Sequence, residues 1–288
     1  ETQTLLQRLG DLRQGEENNG VWAKMSGGQF SEGNDGSLRG YDMNYTSFQA
    51  GYDRKIYSDA KKGDIYVGGM FGYGKGSMNY DLGSGSLDMK SLGAYGTYKS
   101  PNGFYADAVV KYGWQNGDFS VLDTEGTLIK DKDMKSNGLY GSLELGKRIY
   151  TNGKTKEGFY LEPQVQISTG HQGGTNSTAS NGLNVDIDGY NSTLGRAGLN
   201  VGYEVKSGKN PINVYAKASY VHEFDGDLNV KLNGIEVPQS MGDAWWVYGL
   251  GVTAKVGNKH NLYLDIERAS GGSFEQSWAL NGGYRFTW

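Results

Sequence analysis

The spacing of apolar residues divides this chain into a short stretch of helical period and a long remainder of period two. Over residues 2–13, Leu5, Leu6, Leu9 and Leu12 recur at the i, i+3, i+4, i+7 spacing of one helix face, with Arg8, Asp11 and Arg13 at other positions. GEENNG at 15–20 then stops the helix. In the last segment, Trp278, Leu280, Gly282, Tyr284, Phe286 and Trp288 alternate with Ser277, Ala279, Asn281, Gly283, Arg285 and Thr287. Leu262, Leu264 and Ile266 oppose Tyr263, Asp265 and Glu267 in the same way, and Phe159, Leu161, Val165 and Ile167 oppose Tyr160, Glu162, Gln164 and Gln166. Strict alternation makes each strand half apolar and half polar.

Twelve such segments centre near residues 24, 49, 70, 93, 109, 143, 164, 200, 217, 250, 264 and 282. Several exceed the usual strand of about 5–6 residues and supply the roughly 9–11 that a tilted membrane-crossing strand needs. Pro163 lies inside one of them, where it removes a ladder donor. The connections alternate in length. Short ones at 58–64, 100–103, 151–158, 206–210 and 257–261 are dense in turn residues; long polar ones fall at 28–43, 75–90, 116–136, 169–193 and 226–243. Hairpin turns at one end and long loops at the other characterise an outer-membrane barrel. Aromatics also gather at strand ends, as in Tyr112 with Trp114 and Trp246 with Tyr248. A soluble sandwich or barrel would share the period, but not the strand length, the loop asymmetry and a polar face holding Tyr, Gly and charges.

The pattern therefore predicts an all-β membrane protein, a 12-stranded antiparallel transmembrane β-barrel over 20–288. Residues 1–19 are expected to form a linker, with an α-helix at about 2–13 inside the pore. Composition narrows the chemistry. Of 288 residues, 47 are Gly, 21 Tyr and 4 Pro, with no Cys, so disulfides and zinc thiolates are excluded and an aromatic-poor disordered chain is not expected. A net charge of -4 gives no case for nucleic-acid binding. No run approaches the roughly 20 apolar residues of a membrane helix, and no signal peptide is evident.

RLGDLR (8–13), GVWAKMSGG (20–28), GFYADAVVKYG (103–113), GLYGSLELGKR (138–148), FYLEPQVQ (159–166) and GGYRFTW (282–288) together resemble, in family order, the translocator domain of type V autotransporters, of the adhesin-like (AIDA-type) kind. The resemblance spans essentially the whole chain. It implies an outer-membrane barrel of a Gram-negative bacterium that secretes and anchors its own N-terminal passenger, with Leu5, Arg8, Leu9, Leu12 and Arg13 on the pore helix. It also implies insertion by the barrel-assembly machinery into outer-membrane lipid, with Tyr284, Phe286 and Trp288 resembling the assembly signal, and a monomer.

Catalysis has little to rest on. His171 and His260 fall in expected connections and His222 at a strand end, with no Ser or Asp arrangement beside them. GYGKG at 72–76 has strand spacing and does not form a phosphate loop. Asp131, Asp133, Asp225 and Asp227 match no calcium loop, so neither a metal nor another cofactor is expected. Asp107, Glu144 and Glu162 occupy motif positions where carboxylates of some relatives help cut the linker inside the pore. Their plainer reading is as lumenal charges, together with Lys111, Arg148, Arg196, Glu204, Asp265 and Arg285. The rival function is a passive porin, which needs an open lumen; twelve strands lie between filled eight-stranded barrels and water-filled larger ones.

Overall fold

The computed structural model describes residues 19–32, 40–123, 125–152, 157–207, 210–240, 243–257, 259–272 and 274–288. The helix expected at 2–13 lies outside these residues. All twelve expected strands are present: β1 (Gly20–Glu32), β2 (Tyr41–Asp59), β3 (Gly63–Tyr80), β4 (Gly83–Lys99), β5 (Phe104–Leu122), β6 (Leu128–Lys147), β7 (Gly158–Gln172), β8 (Tyr190–Ser207), β9 (Asn210–Glu223), β10 (Ala244–Val256), β11 (His260–Ser270) and β12 (Phe274–Thr287). Each pairs antiparallel with its sequence neighbours, and β12 pairs with β1 from Gly20↔Thr287 to Glu32↔Phe274. The sheet is a closed 12-stranded barrel, which leaves no edge.

Burial settles which face is which. Leu280 is 45% exposed and its neighbour Asn281 only 5%; Leu264 is 50% exposed and Asp265 1%. The apolar side chains point outward and the polar ones are enclosed, the reverse of a soluble barrel. Pro163 fits because the β6–β7 ladder is interrupted beside it. Pairing stops at Gly146↔Gln164 and resumes at Ile149↔Leu161, so its missing N–H falls within the break.

The expected long loops are largely strand. Residues 75–90 continue the β3–β4 ladder to Tyr80↔Gly83, leaving a two-residue turn. β5 runs on to Leu122 and β6 begins at Leu128. The connections after β7 and β9 merge into a separate four-stranded sheet, in the order 235–240, 227–232, 184–187, 175–178. Asn233 and Gly234, with φ of 50° and 81°, turn the 227–240 hairpin as the Asn-Gly pair does in primed turns. These segments read as loops because nothing above the membrane selects an apolar face. The backbone ladder needs no such face. The same misreading placed His171 and His260 in connections, whereas both lie in strands, β7 and β11.

The glycine excess finds its use inside. Six enclosed aromatics lie on glycines that are their register partners across adjacent strands: Trp22 on Gly51, Tyr95 on Gly68, Tyr105 on Gly146, Tyr160 on Gly202, Tyr215 on Gly251 and Tyr263 on Gly283. A Cβ on these glycines would fall between 2.1 and 2.7 Å from the ring. Every odd–even strand pair carries one such contact, so together they collar the interior.

Candidate functional site

The lumenal wall is built by the inward half of every strand. Its most connected group starts at Arg148, which follows β6. Arg148 donates through Nε to Glu162 (2.7 Å) and through Nη1 to Glu204 (3.2 Å), and its guanidinium lies 3.8 Å from the centre of the Tyr160 ring. Tyr150 donates to the same Glu204 oxygen at 2.6 Å, and Gln164 donates to Glu162 at 2.9 Å. A planar cation that stacks and forks suits an enclosed site better than a lysine would.

Beside it, Glu144 accepts from Tyr105 (2.5 Å) and pairs with Arg196 (3.3 Å). Arg196 in turn donates to Gln166 and Gln164. Asp107, the register partner of Glu144, accepts from Thr97 at 2.5 Å. On β9–β12, Lys217 pairs with Asp265 (3.0 Å) and with Glu267; Asn281 and Tyr215 also donate to Asp265. Lys111 faces inward beside Gly93.

At the seam, Arg285 of β12 reaches across β1 to Asp53 of β2 with two bonds of 2.6 Å. Tyr95 of β4 donates to Asp53 (3.0 Å) and Trp22 of β1 to Tyr95 (2.7 Å), so three strands meet on one carboxylate and the fourth joins through Tyr95. Asp53 escaped the sequence reading, and Lys217 and Glu267, although on the polar faces of their strands, were not among the expected lumenal charges. The signal was there in the parity: Asp53 falls in step with Gln49 and Gly51, and Lys217 with Tyr215. Toward the long-loop end the wall encloses a cavity of about 430 Å³, lined by Lys24, Tyr45, Arg196, Lys217 and Glu267 among others.

The three expected cleavage carboxylates are thus each engaged by a wall partner. His171 bonds Asn191 (2.9 Å), His260 bonds Tyr284 (2.8 Å), and His222 packs edge-on against Phe224. Tyr284 and Trp288 are exposed on the outer face; Trp288 stacks on Tyr52 and on Phe286. The pore-helix residues Leu5, Arg8, Leu9, Leu12 and Arg13 lie outside the described residues.

Comparison with known proteins gives a consistent answer. Residues 21–267 match the family model described as the autotransporter β-domain. The chain is 37% identical over 287 residues to the probable autotransporter YcgV of Escherichia coli K12, covering all of this chain and 29% of that protein. It is 32% identical over 290 residues to the pertactin autotransporter of Bordetella bronchiseptica, again over its whole length and 31% of the relative. Among solved structures, the β domain of the Bordetella autotransporter BrkA superposes with a TM-score of 0.79 at 27% identity, covering 94% of this chain and 100% of that one. The chain thus spans about three-tenths of the length of the full relatives it matches.

Proposed function

Because this chain belongs to the autotransporter β-domain family, and is an outer-membrane translocator of a Gram-negative bacterium, we propose that it secretes and anchors a passenger joined ahead of residue 20. In this reading residues 1–19 are the linker, with a helix at about 2–13 held in the pore and Arg8 and Arg13 facing wall carboxylates. Residues 20–288 are the barrel. The observation that carries it is the continuous enclosed polar wall, which offers a transiting backbone hydrogen-bond partners that a dry core would lack.

Asp107, Glu144 and Glu162 serve this wall as fixing groups: each carboxylate is taken up by Thr97, Tyr105 or Arg148. The domain itself performs no catalysis in this account, and a passenger would supply whatever activity the whole protein has. Tyr284, Phe286 and Trp288 present the outward aromatic strip that the assembly machinery reads.

A test places a reporter domain ahead of Glu1 and follows its exposure to external protease on intact cells. The intact chain is expected to bring the reporter to the surface; removal of Phe286–Trp288 is expected to leave it in the periplasm or degraded. A reporter retained inside by the intact chain overturns the reading. A passive porin would instead show ion conductance in planar bilayers with no effect on the reporter.

A further inference from the structure

The outer face of the barrel is not uniform at its long-loop end. Across β3, β4, β5 and β6 the register aligns outward side chains in rows. The last apolar row is Phe71, Leu92, Tyr112 and Leu139. The next is Tyr73, Lys90, Trp114 and Asn137, and the one beyond it Lys75, Asp88, Asn116 and Lys135. Lys75, Lys90 and Lys135 are all exposed. With strands about 4.8 Å apart, Lys75 and Lys135 stand roughly 14 Å from one another and Lys90 lies between them, one row nearer the apolar band.

Three cations therefore share two rows with a single carboxylate. Asp88 accepts from Tyr73 at 3.0 Å and lies 3.8 Å from Lys75, so these two rows keep a net positive sign; Asp118, in the row beyond, accepts from Ser86 at 2.7 Å. Trp114 and Tyr112 pack edge to face just below, as rings do at a membrane boundary. Lysine stems bend along apolar surface and carry the ammonium to the headgroup level. An anion arriving there has hydrocarbon on one side and protein on the other, which strengthens its attraction to the lysines relative to open water.

We propose that this sector binds a diphosphorylated glycolipid of the outer leaflet, with Lys75, Lys90 and Lys135 on its phosphates and Asn116 and Asn137 on its sugar hydroxyls. The inference rests on the outer-membrane assignment above, which places the long-loop end at the cell surface. Charge complementarity and continuity with the lipid-facing band identify the occupant.

The test uses the full chain extracted in detergent and titrated with three lipids: the diphosphorylated glycolipid, its dephosphorylated form, and phosphatidylglycerol. Bound lipid per barrel is read by native mass spectrometry. The parent chain is expected to retain the diphosphorylated glycolipid, with retention falling as salt rises. Lys75→Gln with Lys90→Gln and Lys135→Gln should lower it severalfold. Arg54→Gln with Lys147→Gln, exposed cations near the short-turn end, should leave it unchanged. Equal retention by the triple variant, equal binding of the dephosphorylated form, or equal binding of phosphatidylglycerol overturns the inference. Both barrels are also refolded into phosphatidylcholine vesicles. Failure of the parent to insert there would overturn the membrane assignment and this inference with it, whereas insertion without lipid preference overturns the inference alone.

Discussion

Arg285 and Asp53 sit on strands that are neighbours only through β1, and both are enclosed, so removing one leaves the other charged without solvent. Arg285→Ala or Asp53→Ala is expected to destabilise by about 3–5 kcal/mol, and the double variant by less than the sum. Denaturant unfolding in lipid vesicles measures all three; strict additivity would mean the two groups are not coupled. The outer face behaves differently. Leu280→Arg should cost about 2–4 kcal/mol near the midplane, and Asn281→Arg, on the lumenal side beside Asp265, far less. Equal penalties in folding titrations would contradict the sidedness described above. Parity made the direction of each side chain legible from sequence. It could not tell which inward charge meets which: Asp53 and Arg285 are 232 positions apart.

Among the elements, the twelve membrane strands were legible because the bilayer demands an apolar residue at every second position. Their extensions above it were not. In residues 75–90, Lys75, Ser77 and Asn79 pair with Asp88, Ser86 and Ser84, so the outward face carries no apolar residue there, and the ladder forms all the same. The tyrosine–glycine contacts were hidden for a related reason, since a glycine in a strand reads as a break until the ring that covers it is known. The four-stranded sheet over the long-loop end is held in part by Lys231, which lies 2.9 Å from Asp188 while Asn229 donates to the same carboxylate. The hydrogen bond from Lys231, then that from Asn229, lowers the Asp188 pKa below its ordinary value, and Asp188 in turn raises that of Lys231. A depressed carboxylate contributes stability above its ordinary pKa and loses it as pH falls through the folded value. The elevated lysine contributes below its ordinary pKa and loses it as pH rises through the folded value. The Asp188 carboxyl should accordingly titrate below the usual aspartate range by NMR, and Lys231→Met should move it back up. An unchanged midpoint in that variant would show that the contact does not form in solution.

At the scale of the molecule, the proposed pore helix can be weighed against the barrel by its dimensions. A helix over residues 2–13 would be about 18 Å long and about 10–12 Å across, enough to block much of a twelve-stranded pore. Removing residues 1–19 should raise single-channel conductance severalfold in planar bilayers, and Arg8→Ala with Arg13→Ala should give intermittent openings. If the intact chain already conducts as well as the truncated one, the pore-helix reading fails and the porin reading gains. The join between β12 and β1 bears on time as well as on structure. A contact between residues 53 and 285 cannot form until the first strands and the last have found each other, so it belongs to the final step of closure. Contacts absent from the folding barrier leave the rate of folding nearly untouched and slow unfolding instead. The Asp53–Arg285 pair is therefore expected to lengthen the lifetime of the closed barrel more than it speeds its formation. In the proposed secretion role, a barrel that stays closed while its passenger crosses needs persistence more than speed of assembly.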